Sequence, residues 1–138
     1  MLPWLIHVDP IDAYKAHTNF DTKSYSSVRF MGGYVGSSGA QNAERTWDVT
    51  LAKGTWTIQL IYMKDGTAGV FSVQIDTVEV GTVDAYNAVN SYNNVSDVTG
   101  IAVASTGKKE LKLKMATKHA SASSYVGNVQ SITLLRTA

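Results

Sequence analysis

The chain contains no cysteine, only two prolines and an unusually small share of charge, 17% of its 138 residues. Without cysteine there is no disulfide, no thiol nucleophile and no Cys-ligated zinc. The net charge of +1 gives no overall field that would draw the chain to nucleic acid or to an anionic membrane. No stretch approaches the roughly 18 apolar residues needed to span a bilayer as a helix. The opening Met1 to Pro10 has no basic n-region and is interrupted by Pro3, His7 and Asp9, so it does not read as a signal peptide. No internal repeat and no low-complexity tail is visible.

What is present is alternation. From Arg45 to Val83 apolar and polar residues alternate with period two, broken by tight turns marked by Lys53-Gly54 and Lys64-Asp65-Gly66. Trp47, Val49 and Leu51 fall on one face, followed by Trp56, Ile58, Leu60 and Tyr62, then Phe71, Val73 and Ile75, then Val78 and Val80. Successive side chains point to opposite faces of a strand, so this spacing buries one face of each. Further strands are expected at Gly100 to Ala104, Glu110 to Met115 and Asn128 to Arg136. Short strands at intervals of about ten residues, with turn signals between them, are the signature of a β-sandwich. The fold class expected is all-β, an antiparallel jelly-roll β-sandwich with a short N-terminal arm.

Two units are expected along the chain: an arm over residues 1–19 and the sandwich over 20–138. Asp9-Pro10 marks a turn or a helix start, and Ile11 to His17 reads as one short helical turn. Ser26 to Met31 is the better strand candidate before Arg45. Asp84 to Asp97 and Ala116 to Gly127 read as two loops long for hairpins, and long loops tend to be functional or mobile.

Little in the sequence suggests catalysis. Paired-carboxylate hydrolysis needs two acids about 5 to 10 Å apart in a cleft. Asp65, Asp76 and Asp84 instead sit at strand ends, where carboxylates cap backbone N–H groups. His7, His17 and His119 have serines in the chain, but no Gly-x-Ser-x-Gly elbow accompanies them, and Ser121 to Ser124 beside His119 reads as a flexible polar loop. No metal-ligand spacing appears, so no metal site, no cofactor and no enzymatic activity are expected, with a structural calcium held by backbone carbonyls and one Asp as the alternative left open.

Binding residues are easier to nominate. Lys112 and Lys114 alternate with Leu111, Leu113 and Met115, which puts them on an outer sheet face; they form either a solvated, edge-protecting face or a contact for an acidic partner. No aromatics are interleaved among the lysines, which weighs against single-stranded nucleic acid. Trp4, with Leu5 and Ile6, lies outside the sandwich pattern, where a large aromatic is a natural interface anchor. A glycan contact would need aromatics for the sugar face and amides for its hydroxyls. Tyr86, Asn87, Tyr92 and Asn93 in one long loop and Tyr125 in the other meet that description. Trp47 and Trp56 are expected in the core.

Several segments together resemble a known family: Ser38-Gly-Ala-Gln-Asn-Ala-Glu44, Trp47-Asp-Val-Thr-Leu51, Gly54-Thr-Trp-Thr57, Phe71-Ser-Val-Gln-Ile-Asp76, Val80-Gly-Thr-Val83, Val98-Thr-Gly-Ile101, Leu113-Lys-Met-Ala-Thr-Lys118 and Leu134-Leu-Arg-Thr-Ala138. The set, over about residues 12–138, resembles the jelly-roll modules of tailed-bacteriophage virion proteins, themselves similar in shape to carbohydrate-binding modules. The resemblance implies a non-enzymatic role in the virion, assembled in the host cytoplasm and often as a homotrimer. Its first form is a capsid decoration (cement) protein that bridges capsomers and contacts the major capsid protein or another virion protein. The alternative is a glycan- or receptor-binding module at the tip of a tail fibre. The short N-terminal arm departs from fibre versions, which normally follow a long shaft.

Overall fold

The computed structural model describes residues 4–11, 14–24 and 33–138. Those residues form eleven strands in two antiparallel sheets, with no helix among them. One sheet runs β3 (Phe20–Ser24), β4 (Gly33–Ser37), β11 (Asn128–Arg136), β6 (Gly54–Lys64), β9 (Ser91–Val103), with β1 (Leu5–Val8) also paired to β11. The other runs β2 (Tyr14–Thr18), β5 (Ala43–Leu51), β10 (Gly107–Thr117), β7 (Val70–Ile75), β8 (Val78–Asp84). This is the expected antiparallel jelly-roll sandwich.

The period-two pattern does what it should in the central strands. Trp47, Val49 and Leu51 of β5, Trp56, Ile58, Leu60 and Tyr62 of β6, and Leu111, Leu113 and Met115 of β10 are all buried. Register carries them into one layer: Trp47 lies opposite Leu111, and Leu60 opposite Ile132. The sheets meet through pairs such as Tyr62 and Phe71, ring edge to ring face with centroids 5.8 Å apart. An edge-to-face pair adds roughly 0.5–1.5 kcal/mol beyond the area it buries.

β8 breaks the pattern. Val78 is 64% exposed and Val80 only half-buried, while Val83 is the residue that reaches the core. The cause is local: β8 is an edge strand, and its pairing with β7 shifts register between Val73 and Gln74. The two-residue turn that starts it has both Asp76 and Thr77 at positive φ, 49° and 67°, the backbone of a type I′ hairpin.

The N-terminal residues differ from expectation. Leu5–Val8 is a strand of the six-stranded sheet, with Leu5 opposite Leu135 and Val8 opposite Ile132. Val8 is part of the core and Ile6 packs against it. Tyr14–Thr18 is a strand, not the helical turn expected over Ile11 to His17, because its backbone pairs with Glu44 to Trp47 of β5. Buried Arg45 explains how this region is held. Its guanidinium donates to the carbonyl oxygens of Pro10, Phe20 and Ile11 at 3.0, 3.0 and 3.1 Å. The strand expected at Ser26 to Met31 lies outside the described residues.

The loop expected over Asp84 to Asp97 is shorter than its composition suggests, because β9 begins at Ser91. Tyr92 and Asn93 therefore lie on a strand. The Asn94 side chain makes strand geometry workable here: its amide donates to the Tyr62 and Ser91 carbonyls at 3.3 and 2.8 Å and its oxygen accepts from the Ser91 hydroxyl at 3.0 Å. Asn93, at φ 55°, takes up a register shift against β6; Asn tolerates that conformation better than most residues.

Candidate functional site

Antiparallel pairing sorts the connections to two ends of the sandwich. At one end lie the segments 38–42, 65–69, 85–90 and 118–127; at the other lie Trp4, the β5–β6 turn, the β7–β8 turn and the β9–β10 turn.

The first end is organised around 65–69. Asp65 N–H donates to Ala85 O at 3.2 Å and Asn87 N–H to Asp65 O at 3.1 Å; from the other side Ser123 N–H donates to Gly66 O and Val126 N–H to Thr67 O, both at 3.1 Å. The acids that mark turns in the sequence cap backbone as expected. Asp65 Oδ1 accepts from Thr67 N–H at 2.7 Å, Asp84 Oδ1 from Tyr86 N–H at 2.9 Å and Asp76 Oδ1 from Glu110 N–H at 2.8 Å.

This scaffold brings together residues distant in sequence. The rings of Tyr86 and His119 stack with centroids 4.5 Å apart and planes 3° from parallel. Tyr86 is half-buried and His119 exposed. His119 Nδ1 accepts from Ser121 N–H at 3.0 Å, so in the neutral ring the proton sits on Nε2, a free donor beside the aromatic surface. Tyr125 packs against the core, with the Lys118 ammonium 5.3 Å from its ring centroid. Asn87 donates to Val89 O at 2.8 Å, which leaves its side-chain oxygen as the outward group.

Of the glycan candidates, the structure thus brings Tyr86, Asn87 and Tyr125 to one end, around 65–69. Tyr92 and Asn93 lie on β9, just after Ser91, which pairs with Lys64 at the same end. Sequence reasoning missed His119 as a ring surface. It lies 33 positions from Tyr86, and no local pattern connects the two. The segment Ser121 to Ser124 is held by the fold, with Ala122 buried, Ser124 Oγ donating to Gly39 O at 3.0 Å and Lys118 donating to Ala122 O at 3.0 Å.

The interface candidates sit elsewhere. Lys112 and Lys114 are on the outer face of the five-stranded sheet, and both reach Glu44, at 3.6 and 4.0 Å. On the same face Lys15 lies 2.9 Å from Glu110 and 3.7 Å from Asp48, and Lys108 lies 3.1 Å from Asp48. The hydrogen bond to Glu110, and then the charge of Asp48, raise the Lys15 ammonium above its ordinary value. The face is therefore a mixed-sign mosaic rather than a basic patch. Trp4 is 50% and Leu5 60% exposed, next to Leu135 at 44%, while Ile6 is half-buried. Among the described residues no three His, Cys, Asp or Glu side chains come together as a metal site.

No protein-family model matches the sequence, and no curated protein does. Solved structures match in fold. A xanthan lyase from Paenibacillus superposes with a TM-score of 0.73 at 20% identity, over 90% of this chain and 12% of the lyase. This chain thus spans about an eighth of that enzyme. The CBM36-1 domain of a multidomain xylanase from the hindgut metagenome of Trinervitermes trinervoides gives 0.67 at 12% identity, over 97% of this chain and 98% of the domain. A carbohydrate-binding module, CBM36, in complex with calcium and xylotriose gives 0.63 at 16% identity, over 94% and 98%. The jelly-roll fold is that of carbohydrate-binding modules.

Proposed function

We propose that this chain is a non-catalytic carbohydrate-binding module that holds a glycan chain at the 65–69 end. The observation that carries the reading is the half-exposed Tyr86–His119 ring stack, fixed by Asp84 and Ser121, on a fold otherwise used for binding sugars. A pyranose ring laid on such a surface buries its C–H face against an aromatic, and Asn87 and the His119 Nε2–H stand at the rim for hydroxyls. The matching structures that share nearly their whole length with this chain are binding modules by name, which supports a role without turnover.

The test is titration calorimetry with xylotriose and with longer xylan and mannan oligosaccharides, followed by product analysis. Saturable binding without cleavage is expected, weakened about tenfold by Tyr86→Ala, the equivalent of 1.4 kcal/mol. No binding to any glycan on a broad array, or equal affinity in the Tyr86→Ala variant, would overturn it.

The capsid-decoration reading stands second. None of the fold likenesses carries a virion location, a homotrimer or a capsid partner. One observation favours it: the apolar exposure of Trp4, Leu5 and Leu135 along one edge. A trimer in light scattering that dissociates on Leu5→Ser would raise it above the glycan reading.

A further inference from the structure

At the end of the sandwich opposite Tyr86 lies a cavity of about 630 Å³, bordered by Trp4, Ala52, Lys53, Gly54, Thr106 and Arg136, with Ala138 closing it. That volume is in the range of small-ligand sites, roughly 300–1,000 Å³. Three features give it chemistry. Two of its side chains are cationic and none is acidic. Among the described residues no carboxylate lies within 4.0 Å of Lys53 or Arg136, in contrast to the lysines of the five-stranded sheet. And the Arg136 guanidinium is already laid over the Trp4 indole, 4.8 Å from its centroid.

That stack is held from the backbone. Arg136 N–H donates to Trp4 O at 2.7 Å, which sets the two side chains beside each other. Arg136 Nε is buried without a partner, so the remaining guanidinium N–H groups carry its hydrogen-bonding capacity. A guanidinium stacked on a ring keeps its in-plane donors, and a carboxylate or sulfate accepts them as a pair. Lys53 is exposed at the β5–β6 turn, where its N–H donates to Thr106 Oγ1 at 2.8 Å.

We propose that this cavity binds a sugar carrying an acidic substituent, a carboxylate or a sulfate. Arg136 and Lys53 take the charge, and the half-exposed Trp4 indole takes the ring. The site is separate from the Tyr86 end: the 11 residues of β6 divide them, about 34 Å over ten rises of about 3.4 Å. It would give the module a preference for acidic polysaccharides that the Tyr86 end does not encode.

Trp4 makes the test direct, since Trp47 and Trp56 are fully buried and only Trp4 can report contact by its emission. The full chain is titrated with oligogalacturonate, with a sulfated galactan oligosaccharide and with neutral xylotriose, following tryptophan emission and its protection from acrylamide. Saturable protection by either acidic probe and none by xylotriose is expected, with affinity falling at least tenfold in Arg136→Gln and also in Lys53→Gln, and with added salt. Which acidic probe responds identifies the substituent. Tyr86→Ala is expected to leave this response intact. Equal protection by xylotriose, or an unchanged response in both cation variants that melt like the parent, overturns the proposal. So does an absence of protection by both acidic probes while Tyr86-dependent glycan binding persists, an outcome that spares the reading of the first end.

Discussion

The Arg45 guanidinium donates to the Phe20 carbonyl oxygen at 3.0 Å across 25 residues of chain, in a site where both residues are fully buried. Two further carbonyls, of Pro10 and Ile11, converge on the same group. A buried charged side chain thus clasps the backbone at Pro10, Ile11 and Phe20. Arg45→Met should leave three acceptors without that donor, two of them deep in the fold. At about 1–3 kcal/mol for each buried group left unsatisfied, a loss of roughly 2–6 kcal/mol for those two is expected, read from the urea midpoint. Arg45→Lys should recover only part of it, because an ammonium cannot span three carbonyls in a plane.

Deletion of residues 1–10 tests whether the N-terminal region is an appendage. As an arm it would be dispensable for folding. As the structure has it, deletion removes β1 from β11, takes Val8 out of the core and deprives Arg45 of the Pro10 carbonyl. Burial of a single Val side chain contributes roughly 1.5–3 kcal/mol. The deleted chain should melt well below the parent, and a coincident melt would refute the strand role.

Thr77 is β-branched and sits at φ 67° in the two-residue turn between β7 and β8, a conformation costly for such a residue. Thr77→Gly creates the Asp-Gly pair that type I′ turns favour. A gain of about 1 kcal/mol in stability is expected, measurable by thermal melting, with no change in glycan affinity.

Lys15 gives a pH signature. Its folded value is raised above the ordinary 10.5 by Glu110 and Asp48. Its contribution to stability is therefore fully present below 10.5 and disappears as pH rises through the folded value. The stabilities of the parent and Lys15→Met should differ by a small constant amount at neutral pH and converge only in strong alkali. Because the side chain is exposed, added salt should shrink the difference.

The central strands were legible because burial there is one-sided and the code is simple: Trp47, Trp56, Leu111 and Leu113 each sit where period two puts them. Elsewhere pairing overrode local composition. Ser91 to Asn94 reads as loop by residue type, yet backbone bonds to β6 and the Asn94 amide make it strand. Tyr14–Thr18 has no strong strand signal and is one because β5 offers it an edge. Tyr86, Asn87 and Tyr125 were nominated by residue type alone, and the fold supplies their common location. His119 gave no signal, since a ring stack between distant loops leaves no spacing to read. Arg45 was equally silent, because nothing local marks an arginine that will turn inward.

The length of β6 sets the spacing between the two proposed sugar sites. A short oligosaccharide cannot touch both Gly54 and Lys64 at once, whereas a polymer can loop from one to the other or be shared between molecules. Mixtures of this protein with a long acidic polysaccharide should therefore thicken and cross-link, and the same sugars cut to trimers should leave the solution clear.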